Sequence, residues 1–397
     1  MYGLAPRGAL LGLERVRTAC AALDHPERRF ASVHIAGTNG KGSVAAMVDA
    51  IARAAGLRTG LYTSPHLTRF AERIQVGGEP ISENHLFAAL EDVLDRFPEL
   101  TFFEAATVAA FVVFAQTKVE LAVVEVGLGG RLDATNVLEA PRATAITRIA
   151  LDHTDWLGND LASIAREKAG ILKRGVPVVV GPLDAVAHTE VRACAERVGA
   201  PLRFTAQDGD LAAFVARHPP ALLGAHQVDN AKIAVALAEQ LGLSPDAMAR
   251  GLGEARWPGR LEMLTTPEGT VLLDAAHNPD GANALATALA EQTRDPARVA
   301  LLFGAMADKD AISMLSTLAP HAQHRFYVTP EGRRATDPAR LVEHQPGRIA
   351  PGVPEGLIAA RAAVGRDGLV VVTGSIFLVG AARAHLLGLP RDPAVAL

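Results

Sequence analysis

A glycine-rich segment at residues 34–43, HIAGTNGKGS, has the residue types needed to hold a phosphate group. Its glycines allow a tight turn that aims backbone N–H groups at phosphate oxygens, and a following helix adds its positive N-terminal dipole. Lys41 would neutralise the outer phosphates, and the Ser43 hydroxyl stands where a phosphate or Mg²⁺ partner is expected. Ile35 replaces a glycine of the common phosphate-loop pattern, and Gly42 replaces its Ser or Thr. A glycine-rich turn with a surface lysine is the alternative, which the strand-like pattern before it and the helical pattern after it disfavour.

Two carboxylates stand where apolar, strand-like runs end. Glu125 closes the run Leu-Ala-Val-Val-Glu, and Asp274 closes a run that begins at Val271. Binding sites of α/β proteins lie at the carboxyl edge of the sheet. Glu125 is therefore a candidate site residue, with a salt-bridged strand-end carboxylate as the alternative.

Length and composition set the class of protein. The 397 residues are 49% apolar and 21% charged, with a net charge of −4, which is typical of a soluble globular chain with two domains. Both charge signs are interspersed, which gives no support to binding nucleic acid or a membrane surface. No apolar run reaches the roughly 18–20 residues of a membrane-spanning helix, and no export signal is evident. Cys20 and Cys194 form no metal-binding pattern, so we expect a cytoplasmic protein.

Short β-rich runs alternate with Ala-rich helical stretches along the whole chain. The predicted strands are 32–36, 58–62, 121–125, 143–147, 177–181, 271–274, 299–303, 325–328 and 369–373, and the clearest predicted helices are 43–55, 83–96 and 230–240. This alternation predicts an α/β fold with parallel sheets covered on both faces.

A linker between two such units is indicated by the adjacent proline and glycine of the segment Trp257-Pro258-Gly259-Arg260. We therefore predict an N-terminal domain of the phosphate-loop ATPase type over residues 1–256. A linker at 257–262 would lead to a smaller, doubly wound α/β domain over residues 263–397.

Further motifs occur in a fixed order along nearly the whole chain. They are GTNGKGS (37–43), TSPHL (63–67), ERI (72–74), TFFE (101–104), EVGLGGRLDATN (125–136), LDHTDWLG (151–158), EKAGI (167–171), GRLE (259–262), DAAHNP (274–279), DKD (308–310) and TGS (373–375). In these residues the sequence resembles the bacterial dihydrofolate synthase/folylpolyglutamate synthase family, a branch of the Mur-type ligases.

The resemblance implies an ADP-forming ligase that joins L-glutamate to dihydropteroate and to folates. The substrate carboxylate would attack the γ-phosphate of ATP, giving an acyl phosphate and ADP. The amine of glutamate would then displace phosphate. Such chemistry depends mainly on positioning and charge neutralisation.

The matching positions imply roles for particular residues. The implied ATP site consists of Gly37, Thr38, Asn39, Gly40, Lys41, Gly42, Ser43, Asn230, Arg260 and Asp274. The implied catalytic residues are Lys41, Lys168 and His277, and the family's equivalent of Lys168 is carbamylated. Two Mg²⁺ sites are implied, held by Ser64, Glu125 and His153, and a monovalent cation is a further candidate. A Lys168 paired with Glu167 or Asp152, and a structural His153, are the alternatives.

A second set of matching positions implies the site for the pterin. These positions are Ser64, Pro65, His66, Thr101, Phe102, Phe103, Glu104, Leu132, Asp133 and Ala134. Aromatic faces beside a carboxylate suit a flat heterocycle that carries N–H donors. At least one of Phe102 and Phe103 is expected to be a core residue instead. Asp308 and Lys309 are candidates for binding the incoming glutamate, with loop solubility as the alternative.

One segment departs from the family pattern. Bifunctional members carry Thr-Ile-Asp before Leu-Gly-Leu-Glu-Arg, whereas Gly8-Ala9-Leu10 stands here, which removes one implied pterin contact. Two rival functions are a Mur-type ligase of cell-wall precursors, which would need an extra domain before the phosphate loop, and a phosphate-loop binding protein without ligase chemistry. We expect a monomer that binds neither nucleic acid nor membrane.

Overall fold

The computed structural model describes residues 12–293, 295–332 and 335–393. Within these ranges the chain forms two sheets, one of eight strands and one of six. The Gly8–Leu10 segment, on which the family departure rests, lies outside the described residues. No helix in the described ranges is long and apolar enough to cross a membrane.

The first sheet is mainly parallel and has the strand order β4-β3-β2-β5-β1-β6-β7-β8. Its strands are β1 (Ala31–Ala36), β2 (Thr59–Tyr62), β3 (Ile74–Val76), β4 (Glu79–Pro80), β5 (Leu121–Glu125), β6 (Ala143–Ile146), β7 (Val178–Val180) and β8 (Leu202–Phe204). Its helices are α1 (Glu14–Ala22), α2 (Lys41–Ala54), α3 (Glu83–Arg96), α4 (Phe102–Gln116), α5 (Thr154–Leu157), α6 (Leu161–Ala169), α7 (Ala185–Val198), α8 (Gly209–Arg217), α9 (Ala225–Gln240) and α10 (Pro245–Glu254).

Helices cover both faces of this sheet. One face packs on α2, α9 and α10 around Val33, Ile35 and Val123. The other face carries two apolar clusters, one with α1, α3 and α4 and the other with α6 and α7. Because strands buried on both faces read as continuous apolar runs, the sequence shows β1 and β5 clearly.

The second sheet has the strand order β13-β12-β11-β14-β10-β9, with β9 antiparallel at its edge. Its strands are β9 (Glu262–Thr266), β10 (Gly269–Leu273), β11 (Val299–Phe303), β12 (His324–Tyr327), β13 (Arg348–Ile349) and β14 (Leu369–Thr373). Its helices are α11 (Pro279–Gln292), α12 (Ala311–Leu318), α13 (Pro338–His344), α14 (Val353–Val364) and α15 (Ile376–Leu387). Apolar clusters on both faces make this a doubly wound α/β unit.

The predicted fold class is confirmed, and each predicted strand and helix overlaps an observed element. Five strands were missed, namely β3, β4, β8, β9 and β13. Four of them have only two or three residues, and all lie at or near a sheet edge, where one exposed side weakens the apolar pattern.

Candidate active site

A cavity of about 910 Å³ opens between the two sheets, at the carboxyl ends of their parallel strands. Nearly all of the predicted site residues line it. They are Gly37, Thr38, Asn39, Gly40, Lys41, Gly42, Ser43, Ser64, Pro65, Thr101, Phe102, Phe103, Glu104, Glu125, Leu132, Asp133, Ala134, His153, Lys168, Asn230, Arg260, Asp274 and His277. The cavity thus brings together predicted site residues from Gly37 to His277, which are 240 positions apart in the sequence.

The phosphate loop joins β1 to the N-terminus of α2. Its backbone is tied to the end of β6, where Thr38 N–H donates to the Arg148 carbonyl at 2.7 Å. The Lys41 ammonium donates to the Thr38 carbonyl at 3.1 Å, which folds its side chain over the loop. Gly40 has φ = +90°, and a Cβ there would lie 2.5 Å from Asn230 Oδ1, so this position needs glycine.

Gly42, the departure from the common phosphate-loop pattern, has a structural reason. A Cβ at this position would lie 2.7 Å from the Trp257 indole, which packs against the first turn of α2. The residue after Lys41 therefore has no side chain, and the linker tryptophan occupies that space. The Ser43 hydroxyl accepts from Gln227 Nε2 at 3.3 Å, and Gln227 in turn accepts from Asn230.

Glu125 is a buried carboxylate at the end of β5. One oxygen accepts from the Ser64 backbone N–H at 3.1 Å, and the other lies 4.0 Å from Lys41 Nζ. Burial raises the pKa of Glu125, against the nearby Lys41 charge, which lowers it. A buried carboxylate oxygen beyond hydrogen-bonding distance of its nearest cation, in a cavity, fits a ligand for a hard cation.

A metal ion here would need oxygen ligands from several sources. Among the residues that the structure describes, no three His, Cys, Asp or Glu side chains cluster so as to hold a metal ion by themselves. Glu125 and Ser64 are adjacent through their hydrogen bond. His153 lies apart from this pair on the β6–α5 connection, with φ = +51°, and burial lowers its pKa to about 4.

Lys168 is buried on α6 and points to the phosphate loop. Its ammonium donates to the Gly37 carbonyl at 2.8 Å. The alternative pairing with Glu167 is wrong, because Glu167 pairs with Arg131 at 2.9 Å. Burial, together with the charge of Lys41, lowers the pKa of Lys168 to about 7, so a large part of this amine is neutral near neutral pH.

Asp152 links the two sheets and was missed as a site residue. Its carboxylate lies 2.6 Å from Lys309 Nζ and 3.5 Å from His277 Nε2, and it accepts from Asn278 Nδ2 at 3.0 Å. Burial raises the pKa of Asp152, but the hydrogen bond and charge of His277, with the charges of His153 and Lys309, outweigh it and lower the pKa. Lys309 is thus a buried partner of the first sheet as well as a cavity-lining residue.

A neutral amide pair also connects the phosphate loop to the second sheet. Asn39 and Asn278 each donate to the other's side-chain oxygen at 3.0 Å. Asp280 accepts from Asn39 at 2.7 Å and from Arg148 Nε at 2.6 Å. Asn278 also caps α11 by accepting from Gly281 N–H. Arg148, Asn278 and Asp280 had no functional assignment from the sequence, because each meets its partner only in the folded chain.

Asp274 at the end of β10 is held by backbone donors. Its two oxygens accept from Leu261 N–H at 2.9 Å and Ala276 N–H at 3.0 Å. Burial raises the pKa of Asp274, against the charge of Arg260, which lowers it. His277 Nδ1 lies 3.0 Å from the Ala275 carbonyl, so Nδ1 carries a proton and Nε2 is turned towards Asp152.

The end of the cavity predicted to hold a pterin lies at the start of α4. Thr101 caps this helix in a reciprocal capping box with Glu104, whose carboxylate also pairs with Arg15 at 2.7 Å. Phe102 belongs to the buried core, whereas Phe103 packs against that core from a partly exposed position. This agrees with the expectation that one of the two phenylalanines is a core residue.

His66 is the one predicted substrate residue that does not line the cavity. It is buried, and its Nδ1 accepts from Arg73 Nε at 3.0 Å. Arg73 lies over the rings of Phe70 and Phe102, so His66 completes a buried cluster behind the cavity wall. The structure thus places His66 outside the cavity lining, and its direct contact with substrate stays a prediction.

The comparisons with known proteins agree with this geometry. Residues 35–218 match the Mur ligase middle domain, and residues 259–376 match the Mur ligase glutamate ligase domain. Fold and site therefore define a Mur-type, ATP-dependent ligase.

Relatives specify the branch of these ligases. The chain is 36% identical to folylpolyglutamate synthase of Lacticaseibacillus casei, over 94% of each chain. It is 33% identical to dihydrofolate synthase/folylpolyglutamate synthase of Bacillus subtilis, over 97% of each. The solved structure of E. coli FolC with DHPP and ADP superposes with a TM-score of 0.87 at 31% identity, covering 95% of this chain and 94% of that one. The chain belongs to the dihydrofolate synthase/folylpolyglutamate synthase family.

Proposed function

We propose that this chain joins L-glutamate to dihydropteroate and to folates, using ATP and releasing ADP and phosphate. The observation that carries the proposal is one cavity lined by the phosphate loop, by Glu125 and Asp133 from the first sheet, and by Lys309 from the second. ATP, the pterin substrate and glutamate would thus each find a group that could bind it within the same cavity. The use of ATP is in line with relatives solved with ADP or with AMPPNP.

We propose that the nucleotide lies between the two sheets. The backbone of residues 37–43 would hold its phosphates, with Lys41 opposing their charge and the dipole of α2 adding to it. Asn230 on α9, Arg260 in the linker and Asp274 at the end of β10 line the rest of the cavity and would contact the nucleotide from both sides.

In the first chemical step the substrate carboxylate attacks the γ-phosphate of ATP, forming a C–O–P bond while the bond to ADP breaks. Lys41 and Arg260 line the cavity and would offset the negative charge that develops. The glutamate amine then attacks the acyl carbon, phosphate leaves, and a carboxylate in the cavity accepts the released proton. We propose that Lys309 and Asp308 hold the glutamate and that His277 orients the phosphates.

We propose that divalent metal is held at two sites, by Ser64 and Glu125 and by His153. Bound there, it would supply positive charge to the phosphate oxygens. A solved bifunctional folylpolyglutamate synthase/dihydrofolate synthase carries Mn with AMPPNP and L-glutamate, at 33% identity and a TM-score of 0.85, with 96% of this chain and 95% of that chain covered. The buried Glu125 oxygen near Lys41 supports its part of this proposal.

We further propose that Lys168 is carbamylated. Reaction with CO₂ requires a neutral amine, and the lowered pKa of Lys168, about 7, supplies one near neutral pH. The product would be an anion beside the phosphate loop. A monovalent cation, a monomeric state and a cytoplasmic setting stay predictions, as do the domain limits 1–256, 257–262 and 263–397.

The test is ADP release by purified protein with Mg-ATP and glutamate, comparing dihydropteroate, tetrahydrofolate and no pterin. We expect release with both pterins, a mass gain of one glutamate, and loss of turnover in Glu125→Gln. Glu91→Gln, at an exposed position of α3, is the matched control. Turnover with tetrahydrofolate alone would assign the loss of dihydropteroate use to Gly8–Leu10. ATP binding without pterin-dependent turnover would refute the ligase and favour a phosphate-loop binding protein.

A further inference from the structure

A fully buried histidine lies behind the pterin end of the cavity. His34 is in β1, between β5 and β6, and has no exposed surface. Burial lowers its pKa to about 3, helped by the charge of Lys173, so the imidazole is neutral. It does not line the cavity, and none of the roles described above uses it.

His34 is connected to the cavity by a short chain of hydrogen bonds. Its Nε2 lies 2.8 Å from Thr135 Oγ1, and both side chains are buried. Thr135 Oγ1 lies 2.5 Å from Asp133 Oδ1, which also accepts from Thr135 N–H at 3.0 Å. The other oxygen of Asp133 accepts from Leu128 N–H at 2.8 Å. Asp133 lines the cavity, so this chain runs from the middle of β1 to the cavity wall.

The direction of these hydrogen bonds follows from their chemistry. Burial raises the pKa of Asp133, and the three protein donors that converge on its carboxylate oppose this rise by favouring the ionised form, which only accepts. The single hydroxyl proton of Thr135 therefore goes to Asp133. The Thr135 oxygen must accept from His34, so His34 carries its proton on Nε2. His34 Nδ1 then needs no acceptor, and it has no partner within the described part of the chain.

We propose that His34 is a positioning residue for the pterin: through Thr135 it fixes the Asp133 carboxylate in the orientation that receives two adjacent N–H donors of the heterocycle. This inference rests on the proposed ligase function. Without the His34 donor, the Thr135 hydroxyl is free to rotate, and Asp133 keeps its two backbone donors but loses the fixed hydroxyl donor. The ring would bind more weakly, while the nucleotide site would be unaffected.

The position of His34 in β1 gives this arrangement a second property. Three residues after His34, the same strand delivers Gly37, the first residue of the phosphate loop. β1 therefore positions both the loop that would hold the ATP phosphates and the histidine that would orient the pterin-binding carboxylate. Attack on the γ-phosphate requires that these two substrates be held in register.

The test uses side chains that keep or remove the Nε2 donor. In His34→Gln an amide N–H takes nearly the place of imidazole Nε2–H, whereas His34→Asn places its amide nearer the Nδ1 position and His34→Leu has no donor. We expect His34→Leu and His34→Asn to raise the KM for dihydropteroate about tenfold, as for one lost buried hydrogen bond. The KM for ATP should stay within about twofold, and His34→Gln should remain close to the wild type.

Equal increases in both KM values, or a His34→Gln variant as impaired as His34→Leu, would overturn the proposal. Because the apolar variant can fail to fold, the wild-type tautomer provides an independent measurement. ¹⁵N NMR should show the Nε2–H form of His34, with its proton signal moving on addition of dihydropteroate but not of Mg-ATP. An Nδ1–H form would refute the inference. Wild-type protein without pterin-dependent turnover would instead refute the ligase function itself.

Discussion

The buried ion pair between Asp152 and Lys309 should contribute measurably to the stability of the two-sheet arrangement. Their charged atoms lie 2.6 Å apart, and the side chains are only 6% and 9% exposed. Lys309→Met removes the cation and leaves a buried carboxylate with His277, Asn278 and the His153 backbone N–H as its remaining partners. Asp152→Asn removes the anion, and the freed ammonium can turn to Asp308, 3.7 Å away and 47% exposed.

The remaining partners of each residue determine how much each substitution lowers the free energy of unfolding. Removing one partner of a buried pair costs about 3–5 kcal/mol, and because three partners are left to Asp152 we expect Lys309→Met to cost about 3 kcal/mol. The alternative partner of Lys309 reduces the cost of Asp152→Asn to about 1–2 kcal/mol. The double variant has no buried charge at either position, so the single effects should not add. We expect a coupling energy of about 2 kcal/mol.

The assay is urea unfolding without metal or nucleotide, followed by circular dichroism and by Trp257 fluorescence in a Trp156→Phe background. The exposed pair Arg28–Glu139, at 3.0 Å with side chains 55% and 64% exposed, is the matched control. Its double-mutant cycle should give at most about 1 kcal/mol. Single effects of Asp152→Asn and Lys309→Met that add to within about 0.5 kcal/mol would show that the buried pair does not stabilise the fold.

Three further outcomes are expected. In CO₂-free buffer the unfolded chain binds more protons than the folded one between the Lys168 pKa of about 7 and its unfolded value of about 10.4, so wild-type stability relative to Lys168→Met should rise with pH across that range. Urea titrations at pH 7 and 9.5 that give the same difference would contradict this. Gly42→Ala should weaken ATP binding, measured by calorimetry, because its Cβ would meet Trp257 at 2.7 Å. The added substitution Trp257→Leu should restore part of the affinity, and no restoration would exclude the collision as the cause. Thr101→Val should lower the free energy of unfolding by about 1 kcal/mol through loss of the α4 cap, whereas Thr101→Ser should not; equal losses would place the effect elsewhere.

The sequence predicted best what depends on local pattern. Strands such as β5, which is apolar up to its last residue, Glu125, and buried on both faces, were found with their limits, and the phosphate loop was found from its glycines and lysine. Edge strands of two or three residues were missed because they bury too few side chains to produce a recognisable alternation of apolar and polar residues. The motif around His66 was recognised, but no local pattern shows that this side chain turns away from the cavity to meet Arg73.

Contacts between distant segments were the second class that the sequence could not supply. Arg148 and Asp280 are 132 positions apart, and neither is unusual among its neighbours. Their pairing depends on how the two sheets meet, which no short window of residues encodes. Gly42 is a related case, because its departure from the common phosphate-loop pattern became intelligible only with Trp257 in place.

The contacts that hold the phosphate loop to the second sheet differ in their response to dissolved salt. The amide pair of Asn39 and Asn278 has no net charge, so ionic strength has little effect on it. In the neighbouring pair of Arg148 and Asp280 the arginine side chain is 58% exposed, and counterions at 0.15 M, where the Debye length is about 8 Å, weaken the pair. Concentrated salt should therefore loosen the outer contact while the neutral pair preserves the alignment of the two sheets. A salt titration can therefore distinguish how tightly the two sheets are held together from how they are aligned.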